Sequence, residues 1–171
     1  MRTLPVPLAV TALAAALALT ACDSGGSSGG DSDKAAGCSI GIKVGPGNAA
    51  TTAGDTGNVP VTLTNRDTKK CTFEGFPGIE LNGGDSSWTV AHAADAHPEK
   101  VTLQKEETAT FTITYVRGKS GASDSAAVKT LKITVPGGGD AQSFPWSFGD
   151  VSLKKPDTPD ASVTPIQIAG D

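Results

Sequence analysis

The strongest pattern in the chain is the stretch TATFTITYVR, residues 108–117. Ala109, Phe111, Ile113 and Tyr115 fall on one side of an extended backbone, and Thr108, Thr110, Thr112 and Thr114 on the other. Strand side chains alternate between faces with a period of two. The residues are β-branched or aromatic, types that suit a pleated, half-buried surface. The spacing therefore predicts a strand with one face in a core. Shorter copies of the pattern recur. CSIGIKV aligns Cys38, Ile40, Ile42 and Val44, and NVPVTLTN aligns Val59, Val61 and Leu63. KCTF, GIELN, SWTVA, KVTLQ and TLKITV add Phe73, Ile79, Leu81, Trp88, Val90, Val101, Leu103, Leu131, Ile133 and Val135. Val151, Leu153, Val163, Ile166 and Ile168 supply one or two closing strands. No segment sustains apolar residues at a 3.6 period with caps, and AHAADAHPEK has room for one helical turn at most. Glycine and proline cut the chain into pieces at spacings of about 8–15 residues. The fold class is all-β: a two-sheet antiparallel β-sandwich of eight to nine strands.

The N-terminal pattern is different. Arg2 precedes an almost wholly apolar run, Leu4 to Leu19, shorter than the roughly 20 residues that span a bilayer. A charged start, a short apolar stretch and small residues make a secretory signal, residues 1–21. The run ends in Leu19-Thr20-Ala21-Cys22, which resembles the bacterial lipobox. That resemblance implies cleavage before Cys22 and a diacylglyceryl group on its sulfur. Two acyl chains anchor a protein stably where one does not. The expected address is the extracytoplasmic face of the cell membrane, with membrane lipid as a partner through the N-terminal diacylglyceryl-cysteine. Residues 23–36, DSGGSSGGDSDKAA, hold no apolar side chain larger than alanine and so cannot build a core. With Cys22 they form a linker, 22–36, spanning roughly 20 Å as a random coil. The folded domain is expected over 37–171.

Cysteine count follows from this division. Of the three cysteines, lipidation takes Cys22 and leaves Cys38 and Cys71. Two leftover cysteines outside the cytoplasm pair by default. Their bridge would join the first strand to the third, within a sheet edge or across two sheets, and stabilise by roughly 3–4 kcal/mol in the chain-entropy treatment. Formal charge is −4, and losing Arg2 with the signal leaves 13 basic against 18 acidic residues, or −5. A mildly acidic chain without a Lys/Arg cluster is not built to grip nucleic acid.

One longer resemblance emerges. A cysteine near the first strand is followed by Gly45-Pro46-Gly47-Asn48-Ala49-Ala50 and then by Leu63-Thr64-Asn65. Cys71 and the turn Gly75-Phe76-Pro77-Gly78 come next. This order resembles domain of unknown function 4232, found in exported actinobacterial proteins, over the first half of the domain. The resemblance implies an immunoglobulin-like sandwich, often behind a lipobox, and carries no catalytic residues.

The chemistry-bearing motifs lead mostly to turns. RGKSG, 117–121, lacks the upstream glycine of a phosphate-binding loop, because Ile113 stands there inside a strand. SLKK, 152–155, lacks the companion motifs of a serine acyl-enzyme. Asp/Gly-rich loops such as NGGDSS fit no calcium-loop spacing. His92, Asp95 and His97 are candidate metal ligands, five residues end to end on a polar loop. Phe144, Trp146 and Phe148 of SFPWSF share one side. If exposed they would form an aromatic binding platform, and if buried they belong to the core, which a chain with so few aromatics needs. These features predict no enzymatic activity and no cofactor. They point to a membrane-anchored binding or interaction module with a protein or cell-wall partner. The alternative is an extracytoplasmic metal-binding protein using the His92/His97 loop.

Overall fold

The computed structural model describes residues 37–169. Cys22, the signal segment 1–21 and the linker 22–36 lie outside the described residues. In chain order the strands are β1 (Ile40–Val44), β2 (Thr56–Asn65), β3 (Cys71–Glu74), β4 (Gly78–Gly83), β5 (Ser86–Thr89), β6 (Ala91–His92) and β7 (Lys100–Leu103). There follow β8 (Thr108–Val116), β9 (Ser125–Ala126), β10 (Thr130–Thr134), β11 (Gln142–Pro145), β12 (Val151–Lys155), β13 (Thr158–Pro159), β14 (Ala161–Val163) and β15 (Gln167–Ile168). The count exceeds the eight or nine expected from alternation. The surplus consists largely of two- and three-residue strands, β6, β9, β13, β14 and β15, too short to display a period.

The largest sheet has the order β1-β2-β8-β14-β6, with β15 also on β8. The other sheets are β11-β10-β4-β5, β13-β12-β9 and the pair β3-β7. Among the described residues every pairing is antiparallel except β14 with β6 at the sheet's edge. The architecture is all-β and sandwich-like. Its spine is the β2–β8 ladder, unbroken over nine residue pairs from Thr56↔Val116 to Thr64↔Thr108. Along it burial alternates as the sequence dictates, with Val59, Val61 and Leu63 on β2 and Ala109, Phe111, Ile113 and Tyr115 on β8 all turned inward. They meet Phe73, Ile79, Leu81, Leu103, Leu131 and Ile133 in one continuous core. Each such side chain contributes about 1.5–3 kcal/mol by leaving water. Ile168 falls in the closing strand β15, where it is 47% exposed.

Cys38 and Cys71 form the bridge, with Cα atoms 6.0 Å apart. It crosses between sheets, tying the residues before β1 to the start of β3. Beside it stands Asn65, the last residue of β2 and the one fully buried polar side chain among the described residues. Its Nδ2 donates to the carbonyls of Leu103 (3.0 Å) and Lys69 (2.8 Å). Its Oδ1 accepts the N–H of Asp67 at 2.8 Å and lies 3.2 Å from Cys71 Sγ. Asp67 in turn caps the turn, and the N–H groups of Lys69 and Thr68 hold its carboxyl below the usual carboxylate range.

Candidate functional site

One groove in the fold is built by local sequence rules. β1 runs antiparallel to β2 from Ile40↔Asn65 to Val44↔Val61. The next pairing position on β2 is Pro60, which has no N–H to give. Gly45 donates its N–H to the Pro60 carbonyl at 2.8 Å, gets no donor in return, and leaves the sheet. The chain then bends through Pro46 and Gly47 and touches β2 once more, where Asn58 N–H donates to the Asn48 carbonyl at 3.0 Å. Gly47 lies so close to β2 that a Cβ there would overlap the Asn58 carbonyl oxygen. Burial along β1 falls in the same direction: Ile40 is buried, Ile42 and Val44 are half-buried and Lys43 is exposed.

The facing wall comes from β11 and the turn after it. Pro145 sits on an edge strand, where a missing donor is tolerated. Trp146 and Phe148 are buried at 7% and 9% exposure, and Phe144 is half-buried. Trp146 packs edge-on against Tyr115 at 5.2 Å and against Phe148 at 4.9 Å, the T-shaped arrangement that ring quadrupoles favour. Its Nε1 donates to the Gly149 carbonyl at 2.6 Å.

The walls are fastened together from beneath. Arg117 Nη1 donates to the Ala50 carbonyl, at the end of the glycine-rich loop, at 2.7 Å, and reaches the Phe148 carbonyl at 3.3 Å. Tyr115 Oη donates to that same Phe148 carbonyl at 2.9 Å. Burial pushes the Tyr115 phenol above its ordinary pKa, against the pull of the Ala50 backbone and the Arg117 charge. The hydroxyl therefore stays a donor throughout the physiological range. Gly149, at φ +85°, lies flat on the guanidinium, where a Cβ would come within 2.7 Å of Arg117 Cζ.

The resulting groove measures about 700 Å³, inside the roughly 300–1,000 Å³ range of ligand sites. Ile42, Val44, Gly45, Gly47 and Ala49 form one side, and Phe144, Pro145, Ser147 and Phe148 the other. Gln142 Nε2, donating to the Ile40 carbonyl at 3.4 Å, ties the two walls near one end. Lys43 is the one charged side chain among the lining residues, and it has no ion-pair partner among the described residues.

Of the residues singled out in sequence, Phe144 and Phe148 reach this groove, and Trp146 supports it from the core. Rather than standing out as an exposed platform, the aromatic segment is a wall with its roots buried. His92, Asp95 and His97 are all exposed. Among the described residues no group of three or more His, Cys, Asp or Glu is placed to hold a metal. His92 is instead stacked on Phe76, with ring centroids 4.1 Å apart and planes 5° from parallel. His97 lines a separate cavity of about 270 Å³ beside Glu99, Lys100 and Ile168. Sequence reasoning did not assign Lys43, Tyr115 or Arg117 to a site. The glycine-rich loop was the available signal, since Gly-Pro-Gly marks a backbone approach too close for side chains.

A family model described as Domain of unknown function (DUF4232) matches residues 35–167. No curated protein matches the chain. Among solved structures, a beta-glucosidase from Listeria innocua in complex with isofagomine matches at 15% identity and a TM-score of 0.41. The match covers 68% of this chain and 16% of that one.

Proposed function

Because the chain belongs to the DUF4232 family, whose model covers residues 35–167, we propose that it is a lipid-anchored, extracytoplasmic binding module. In this reading an immunoglobulin-like sandwich, tethered through Cys22, contacts a protein or cell-wall partner with the groove between β1 and β11. The observation that carries it is the groove itself, apolar on both sides and held in shape by the donations of Arg117, Tyr115 and Trp146. A preformed apolar cleft with a few polar groups is the ordinary form of a binding site. The lining offers Lys43 and Ser147 but no histidine or carboxylate, which favours recognition over catalysis. Support for the address comes from Leu19-Thr20-Ala21-Cys22 and from the disulfide, a bond that persists in oxidising compartments.

Two experiments test the reading. Fatty-acid labelling of cells should mark the wild-type protein and not Cys22→Ala, and equal label in both refutes the anchor. A photocrosslinking amino acid at Ser147, on the groove, should capture an envelope component that the same group at Thr102, exposed on β7, does not. Equal capture from both positions refutes the groove.

A further inference from the structure

We propose that the open edge of β1 accepts an extended peptide segment of a partner as an added strand, and that this segment carries an acidic side chain opposite Lys43. The inference rests on the groove being the contact site and specifies how the contact is made.

The hydrogen-bond phase of β1 is fixed at both ends. Arg66 N–H donates to the Ser39 carbonyl at 2.8 Å, and Gly45 N–H donates to the Pro60 carbonyl at 2.8 Å. In an antiparallel pair, bonded and non-bonded residues alternate. Ser39, Gly41, Lys43 and Gly45 therefore turn their main-chain groups toward β2, and Ile40, Ile42 and Val44 turn theirs outward. The Gln142 side chain takes up the outward carbonyl of Ile40. The N–H and C=O groups of Ile42 and Val44 have no backbone partner among the described residues, since β1 ends its sheet and pairs only with β2. These two donors and two acceptors belong to residues that line the groove of about 700 Å³. An extended peptide fits such a row: main-chain bonds supply affinity, and alternate side chains fall into pockets and supply specificity.

Side-chain alternation sets the chemistry of the occupant. On one face the added strand would meet Ile42, Val44, Phe144 and Phe148, which calls for apolar side chains. On the other it would meet Lys43, which lacks an acidic neighbour among the groove's residues. A lysine on an edge strand also discourages self-pairing. In a dimer paired about Ile42, two Lys43 side chains would be diagonal neighbours on one face, within reach of each other, and both copies carry net negative charge. A second copy is thus disfavoured where an acidic strand is welcomed.

The test uses the purified full chain and three synthetic peptides. The first alternates valine and glutamate over six residues, the second is the same with alternate backbone nitrogens methylated, and the third has lysine for glutamate. Amide hydrogen exchange and chemical shifts are read by NMR. With the first peptide, exchange at Ile42 and Val44 should slow at least tenfold. The other two should bind at least tenfold more weakly, and Lys43→Glu should reverse the preference between glutamate and lysine. Equal binding of the methylated peptide overturns strand addition while leaving the groove a binding site. Peptides that bind without perturbing Ile42–Ala49 or Phe144–Phe148 overturn both strand addition and the groove. Absence of binding by all three overturns strand addition, and the Ser147 crosslink then judges the groove separately. Protection of Ile42 and Val44 in the peptide-free chain also overturns the proposal. It assigns the edge to a second copy if sedimentation shows a dimer, and to residues 22–36 if it shows a monomer.

Discussion

Asn65 offers the sharpest test of how the strands at the disulfide end are joined. Replacing it with alanine removes two donations, to Leu103 and Lys69 carbonyls, and the acceptor for Asp67 N–H. Each neutral bond contributes about 1 kcal/mol net, and a buried carbonyl left without a donor costs a further ~1–3 kcal/mol. The Leu103 carbonyl is the buried one. The expected loss is therefore about 4–6 kcal/mol, a large share of the ~5–15 kcal/mol that holds a domain folded. Urea denaturation followed by the fluorescence of Trp88 and Trp146 reads it directly. Asn65→Asp sharpens the argument, because it keeps the shape and the Asp67 bond but turns two donations into contacts between oxygens. The new carboxyl would be buried against two carbonyl oxygens with only the Asp67 N–H to offset them, so its folded pKa would rise above the unfolded ~3.9. With the folded value raised, the variant is least penalised below about pH 4 and loses stability as pH climbs through the raised value. A loss under about 1 kcal/mol for Asn65→Ala, or a pH-independent deficit for Asn65→Asp, would refute the reasoning.

Three further outcomes are expected. The paired substitution Cys38→Ser with Cys71→Ser should lower stability by about 3–4 kcal/mol from loop-closure entropy; urea midpoints matching those of the oxidised wild type would show that the bridge does not constrain the unfolded chain. Tyr115→Phe should cost about 1–2 kcal/mol, by leaving the Phe148 carbonyl with Arg117 alone. Because the Tyr115 pKa is raised on folding, its contribution is complete below about pH 10 and is lost as pH rises through the folded value. Thermal melts between pH 8 and 12, taken as roughly spanning that titration, should therefore fall more steeply for wild type than for Tyr115→Phe, and parallel curves would contradict the assignment. Gly47→Ala should cost about 1–3 kcal/mol by overpacking against Asn58; amide shifts should change from Gly45 to Ala50, and an unaltered loop would show that the close approach is dispensable.

Alternation made the long strands legible because it is local: TATFTITYVR carries its own burial pattern in eight consecutive choices, and β8 buries the four residues it names. The disulfide was legible by arithmetic, with two cysteines remaining once Cys22 was assigned to lipid. The two-residue strands were not, since a period needs more positions than they have. Nor was the depth of SFPWSF. Its spacing put Phe144, Trp146 and Phe148 on one side, but the same spacing serves a platform and a core, and only the Trp146–Gly149 and Tyr115–Phe148 bonds settle which one forms. The Leu63-Thr64-Asn65 motif was visible as a motif and opaque as chemistry. Its reason is a carbonyl on Leu103, 38 residues away, and no local pattern encodes that.

The groove escaped sequence reasoning for a related cause, which also explains how its walls are held. Pro60 ends the pairing of β1, but its effect is felt on Gly45, 15 positions earlier in the chain. Arg117 lies in RGKSG, which lacks the upstream glycine of a phosphate loop, yet its guanidinium secures the Ala50 carbonyl from 67 residues away. Both walls are thus fixed by groups that never touch the groove's interior. A ligand entering it need not order the loop, so the entropy of fixing several residues, about 1–2 kcal/mol each for the backbone, is already spent in folding. The consequence is a separable effect. Weakening the Arg117 clamp should reduce affinity through loop freedom while Ile42, Val44 and Lys43 remain chemically intact, whereas Lys43→Glu should change which peptide binds and leave the melting temperature nearly unmoved.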